Sequence, residues 1–284
     1  MDAKELLFAG LAVLLAIYLI ALVRGGLTMP TAFQTSIGFV TAFFDTLGIG
    51  SFATTTAMFK LRGLVAVELI PGTLNVGHTL ATLLQAYLYT TLVPVDSVTL
   101  VLMIAAACIG AWIGVGFVVH WPRWRIQVGM GIALFGAAML LLLQQLHLFP
   151  GGGNALGLAG VRLAIGLGGN FMLGVLMMLG IGLYAPCMIL VSLLGMNPAA
   201  AFPIMMGSCA FLMPVSCVRF IRTRKYHVQA AIGLALGGVP GVYLAYRAFQ
   251  SLPIDAVRWL VIVVVIYTSL NMMITAGTRE NAAA

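Results

Sequence analysis

Two Gly-Ile-Gly triplets constrain this chain more than any other feature. Gly48-Ile49-Gly50 and Gly180-Ile181-Gly182 each interrupt an apolar stretch, residues 31–60 and 161–195, that is too long for one plain membrane span. Crossing the hydrocarbon core takes about 20 helical residues. Glycine at a helix break permits a sharp reversal and lets other groups approach the backbone closely. The surroundings are apolar throughout: 62% of the 284 residues are hydrophobic and only 7% are charged. A soluble domain carries about 25% charged residues. The chain therefore reads as an integral membrane protein, which excludes a DNA-binding domain, a secreted disulfide scaffold and an ordinary cytosolic enzyme. A β-barrel is disfavoured because the apolar runs are continuous rather than alternating.

Nine hydrophobic segments are legible. The first, residues 6–23, is a leader helix preceded by Asp2, Lys4 and Glu5 and followed by Arg24. Those flanks are the reverse of a secretory signal, so a retained helix with its N-terminus outside is expected. Two sets of four segments follow, separated by the loop-like Phe149-Pro-Gly-Gly-Gly-Asn154. The expected organisation is a leader helix over 1–30, a first repeat over 31–148, a linker over 149–160 and a second repeat over 161–284. A constant offset lays Leu47-Gly48-Ile49-Gly50 on Leu179-Gly180-Ile181-Gly182. It also matches Phe39 with Phe171, Ala53 with Ala185, Leu61 with Leu193, Gly63 with Gly195 and Pro71 with Pro203. Shared hydrophobicity alone does not produce such a register.

Charge decides how the repeats are related. If each interrupted stretch crossed once, basic residues would divide evenly between the two faces. If each is a re-entrant hairpin of two short helices, Arg24, Lys60, Arg62, Arg123, Arg125, Arg219, Arg222, Arg224, Lys225 and Arg279 share one face. Lys4, Arg162, Arg247 and Arg258 are left on the other. Such asymmetry follows the positive-inside rule. The expected fold is thus an all-α polytopic membrane protein with two inverted repeats. Each repeat is a broken re-entrant helix pair followed by three transmembrane helices, a plan common among transporters. The C-terminus is then cytoplasmic. The net charge of +7 is explained by this anchoring and not by a nucleic-acid partner.

Broken helices near the midplane present unpaired N–H groups to an anion. Candidate substrate contacts are Gly48, Gly50, Ser51, Thr54 and Thr55 at the first break, and Gly180, Gly182 and Tyr184 at the second. Asn75 and Ser208 follow on the next segment of each half. Those glycines also suit plain helix packing. Asp45, Glu68 and His78 are the titratable candidates for ion coupling, since ionisable groups at membrane depth are costly and usually functional. Asp45 also suits a water-exposed hairpin tip or a cap on the second short helix, and Glu68 a pairing with Lys60 or Arg62. His78 lies about 21 Å along a regular helix from Leu64, with Asn75 one turn earlier on nearly the same face. A histidine bonded to a backbone carbonyl is the plainer reading there. Cys108, Cys187, Cys209 and Cys217 lie inside apolar segments with no Cys-x-x-Cys spacing and read as small helix residues. No His-Glu-x-x-His, Gly-x-Ser-x-Gly, Walker loop or metal-spaced Cys/His cluster occurs, so neither an enzyme nor a resident metal is expected.

The stretch from Gly38-Phe39 to Gly50, its counterpart from Phe171 to Gly182 followed by Pro186, and the small-residue runs Gly110-Ala-Trp-Ile-Gly114 and Gly237-Gly-Val-Pro-Gly241 resemble the TauE/SafE family. These are sulfite and sulfonate exporter-like permeases of the toluene-sulfonate uptake superfamily. The family's usual Gly-x-Gly-Gly-Gly reads here Gly48-Ile-Gly-Ser-Phe52 and Gly180-Ile-Gly-Leu-Tyr184. The resemblance covers nearly the whole chain after the leader. It implies secondary transport of a small organic or sulfur-containing anion across a bacterial inner membrane, and it supplies no catalytic residues. No cofactor is expected, and a proton or sodium ion is the simplest driver. The rival readings are a non-transporting membrane subunit and a passive anion channel.

Overall fold

A computed structural model describes residues 3–47, 49–148, 152–180, 182–248, 259, 262–263, 265–267, 269–270 and 273–274. The described residues are 81% helical and form no strand. In order, the helices are α1 (Ala3–Gly25), α2 (Ala32–Thr46), α3 (Ser51–Arg62), α4 (Ile70–Leu92), α5 (Ser97–Val118), α6 (Arg123–Gln145), α7 (Gly160–Met177), α8 (Tyr184–Leu193), α9 (Ala201–Arg222) and α10 (Val228–Ala248). Short 3-10 turns, Val67–Leu69 and Pro198–Ala200, lead into α4 and α9.

Among the described residues, five segments are long and apolar enough to cross a membrane: Leu7–Gly25, Ser97–Val118, Gly160–Met177, Pro198–Arg222 and Val228–Arg247. On α5 both faces are apolar but differ in size. Trp112, Ile113 and Phe117 point outward, while Ala107, Gly110, Ala111 and Gly114 are buried. Small residues turned inward let helix backbones meet in lipid, where apolar surface alone gives no drive to associate. α4 is as long as its neighbours but carries Thr73, Asn75, His78, Thr79, Thr82, Gln85 and Thr90 buried inside the bundle.

Each interrupted stretch doubles back on itself. The Arg62 guanidinium at the end of α3 lies 5.2 Å from the centroid of Phe33 at the start of α2. Likewise the end of α8 returns to the start of α7, where Gly195 sits beside the Arg162 guanidinium and Leu190 packs against Gly169. The short helices end alike. Gly63 and Gly195 both take left-handed backbone, with φ of 59° and 90°. Leu64 N–H reaches the Phe59 carbonyl and Met196 N–H the Val191 carbonyl, both at 3.0 Å. A left-handed glycine after the last turn satisfies carbonyls that the helix leaves open.

Packing across the molecule repeats the same theme. α10 packs most extensively on α2, and α5 on α7. Gly110 meets the backbone of Phe171, and Gly241 meets the backbone of Phe39, the residue that Phe171 matches in the sequence offset. α4 and α9 lie against each other at the centre and run antiparallel: Tyr89 stacks on Phe202 near one end, and Gly72 meets Lys225 at the other. Both small-residue pairs run parallel, with Gln34 beside Gly233 and Ala42 beside Gly238, and Met103 beside Gly166 and Val175 beside Gly114.

These directions sort the charges. Glu68 pairs with Arg123 at 3.6 Å, and Gly72 sits beside Lys225. Arg24 shares a groove with Arg222 and Arg224, and His227 N–H bonds the Thr73 hydroxyl at 2.9 Å. Among the described residues, one end of the bundle gathers Arg24, Lys60, Arg62, Arg123, Arg125, Arg219, Arg222, Arg224 and Lys225. Arg162 and Arg247 lie at the other. At that opposite end Asp96 caps α5 through the Thr99 N–H at 2.8 Å and takes the Leu156 carbonyl at 2.8 Å through its own N–H. The Thr99 hydroxyl accepts from Leu158 N–H at 2.9 Å, so the connection between the halves is pinned to the start of α5.

Candidate functional site

The two helix breaks meet around Asp45. α2 ends one residue later, and Gly50, with φ of 88°, turns the chain into α3. That reversal brings the first N–H of α3, on Ser51, onto the Asp45 Oδ1. The other carboxylate oxygen accepts from the Gln85 Nε2 of α4 at 2.9 Å, and the same amide bonds the Thr46 hydroxyl at 2.9 Å. Gln85 Oε1 in turn accepts the Tyr184 hydroxyl, from the start of α8, at 2.7 Å. A continuous hydrogen-bonded chain therefore runs from the second break through α4 to the first. The Tyr89 hydroxyl closes it by donating to the Thr46 carbonyl at 2.9 Å, one of the carbonyls the end of α2 leaves unpaired.

Asp45 is 4% exposed, so it is not a water-facing hairpin tip. Both of its donors are neutral. An ionised carboxylate out of water with no counter-charge costs many kcal/mol, which makes this the most electrostatically demanding point of the described chain. Beside it is a cavity of about 20 Å³, lined by Asp45, Ser51, Thr82, Gly182, Tyr184 and Cys209 among others. That is room for about one water molecule. Met177, the offset partner of Asp45, faces the same cavity and lies 3.7 Å from the Cys209 thiol. The second break is built differently: Gly180 carries the positive φ, 91°, whereas Gly182 does not, and a side chain on Gly182 would meet open space.

His78, 1% exposed, stands beside this chain rather than in it. Its Nε2 shares a hydrogen bond with the Thr55 hydroxyl at 2.9 Å, so its partner is a side chain and not a backbone carbonyl. The Phe52 ring, which lines the cavity, packs 5.9 Å from the imidazole centroid. His78 Nδ1 and Thr56 Oγ1 are buried with no hydrogen-bond partner. Thr54 bonds back to the Gly50 and Ser51 carbonyls within α3.

Three expected residues are placed elsewhere. Asn75 does not pair with His78. Its amide donates to the Pro71 carbonyl at 2.9 Å and its Oδ1 accepts from Ser216 on α9. Ser208 bonds Asn170 of α7 at 3.0 Å, in a separate polar contact that also reaches the Met103 carbonyl. Glu68 sits at the basic end, 3.6 Å from Arg123 and away from the helix breaks. Gly48 lies outside the described residues. Gln85, Tyr89, Thr82 and Cys209 belong to the site and were not anticipated. A signal for three of them existed: positions 75, 78, 82, 85 and 89 form a polar stripe at helical spacing along α4.

No family model matches the chain, and neither a curated protein nor a solved structure does.

Proposed function

We propose that the chain is a secondary transporter of a small organic or sulfur-containing anion, coupled to a proton or a sodium ion, and that its halves are inverted repeats. The observation that carries the reading is the buried chain from Tyr184 through Gln85 to Asp45 and the Ser51 N–H, which joins both helix breaks. Discontinuous helices meeting at depth are where secondary transporters hold substrate and coupling ion. The antiparallel α4 and α9, with α10 on α2 matching α5 on α7, support the inverted arrangement. The crowding of basic residues at one end supports a bacterial inner-membrane protein with that end in the cytoplasm and the N-terminus of α1 outside.

The geometry suggests how coupling works. A helix N-terminus favours a negative group, and at α3 that place is taken by Asp45 itself. A proton or sodium ion arriving at Asp45 weakens its hold on the Ser51 N–H. The N-terminus is then free for a substrate anion, so ion and anion travel together. The cavity of about 20 Å³ is too small for an organic anion, so the hairpins must part to admit one. Reconstituted vesicles test the reading. An imposed proton or sodium gradient should drive accumulation of sulfite or a short sulfonate, saturably, and Asp45→Asn should abolish accumulation while the anion still binds. Flux that neither saturates nor follows a gradient identifies a passive channel. Absence of flux together with absence of any anion-induced thermal stabilisation identifies a non-transporting subunit.

A further inference from the structure

We infer that the groove between α1 and α9 at the basic end is a binding site for one anionic phospholipid, its phosphate held by Arg24, Arg222 and Arg224 and an acyl chain lying along the two helices. The groove encloses about 370 Å³ and opens to the side of the bundle. Its wall is apolar, with Ile17 and Ile20 of α1 facing Val218 and Ile221 of α9. Ile17 and Ile20 are 43% and 53% exposed, so this is surface that hydrocarbon must cover. The three arginines close one end only, and among the described residues none of them pairs with a carboxylate. Arg224 is held there by a left-handed backbone, φ 53°, that a non-glycine residue rarely adopts.

A second polar group lies just behind the groove's lining. The Tyr226 hydroxyl packs against Gly25, which lines the groove, and it is buried with no hydrogen-bond partner. Burial raises its pKa, and the neighbouring Arg224 charge acts against that rise. A lipid phosphate at that end would neutralise the three arginines together. A headgroup with a chain attached also explains why the cationic end and the apolar trough are continuous. Basic pockets between transmembrane helices are suited to anionic headgroups.

Native mass spectrometry of the detergent-purified chain, titrated with phosphatidylglycerol or phosphatidylcholine of the same chains, tests this. The expected result is one tightly retained phosphatidylglycerol per chain and no comparable phosphatidylcholine. Arg24→Gln and Arg222→Gln should each weaken retention roughly fivefold, the share of one basic residue at a membrane surface. Tyr226→Phe, which lies behind the groove's lining, should leave it unchanged. Arg125→Gln, which removes the same charge at the same end but outside the groove, should leave it unchanged, as should millimolar inorganic phosphate. Equal retention of both lipids overturns the proposal, as does an equal loss with Arg125→Gln. Displacement by inorganic phosphate would instead assign the arginines to a free anion. Because the substituted arginines are exposed, each variant's melting temperature without lipid should match that of the parent.

Discussion

Asp45 and Gln85 depend on each other through their hydrogen-bond directions. Asp45 accepts on both oxygens, and an asparagine there turns one acceptor into a donor. The mismatch is relieved if the Gln85 amide flips, presenting its oxygen to Asn Nδ2 and its nitrogen to the Tyr184 oxygen, which can accept. Asp45→Asn should therefore cost about 1 kcal/mol or less in thermal unfolding and keep anion affinity within about tenfold, while ending gradient-driven accumulation. Asp45→Leu has no such relief. It strands the Ser51 N–H and the Gln85 N–H that faces Asp45, each an orphaned buried donor costing about 1–3 kcal/mol. A melting temperature for Asp45→Leu equal to that of Asp45→Asn would show that the network does not bear on the fold. Tyr184→Phe removes one bond and should destabilise by about 1 kcal/mol. His78→Gln should alter the pH dependence of transport if the imidazole carries the proton. An unchanged profile leaves that role to Asp45.

The helix breaks and the small-residue faces make different demands of glycine. At Gly50 a side chain has space but the backbone does not suit it: φ is 88°, and Gly50→Ala should cost about 1–3 kcal/mol of strain. Gly182 is the reverse case. Its backbone tolerates a side chain, so Gly182→Ala should insert and fold normally yet impair transport by taking up the cavity. At Gly110 and Gly241 any Cβ would overlap a neighbouring helix backbone, so leucine at either should destabilise by about 3 kcal/mol or more. Leucine at exposed Gly136, which has no neighbour within contact range, should be silent by the same thermal assay. The breaks were legible because their glycines are spaced by the repeat. Gln85 and Tyr89 were not, because each reads alone as an ordinary polar residue near a helix end. Only their α4 register against Asn75, His78 and Thr82 marks them as one inward stripe. Asn75 misled for a related reason. Residues one turn apart share a face only broadly, and here the space between them is split, with Ser216 of α9 meeting Asn75 and Thr55 of α3 meeting His78.

Across the whole molecule, the side on which each loop emerges is the quantity to measure. Single cysteines at Arg62 and at Arg224 should react with an impermeant reagent from the same face, and one at Asp96 from the opposite face. Reaction of the first two from opposite faces would require the breaks to be full crossings and would remove the inverted arrangement. The swapped pairing of α2 with α10, and of α5 with α7, also has a consequence in time. α2 leaves the ribosome nearly 200 residues before the helix that covers it, and at roughly 5–20 residues per second that is an interval of about 10–40 s. Throughout it the small-residue face of α2 lies open to lipid or to the insertion machinery. A chain arrested before Val228 should therefore be degraded quickly. Supplying the missing segment as a separate polypeptide should rescue it, since the interlock asks for the partner helix and not for an unbroken backbone.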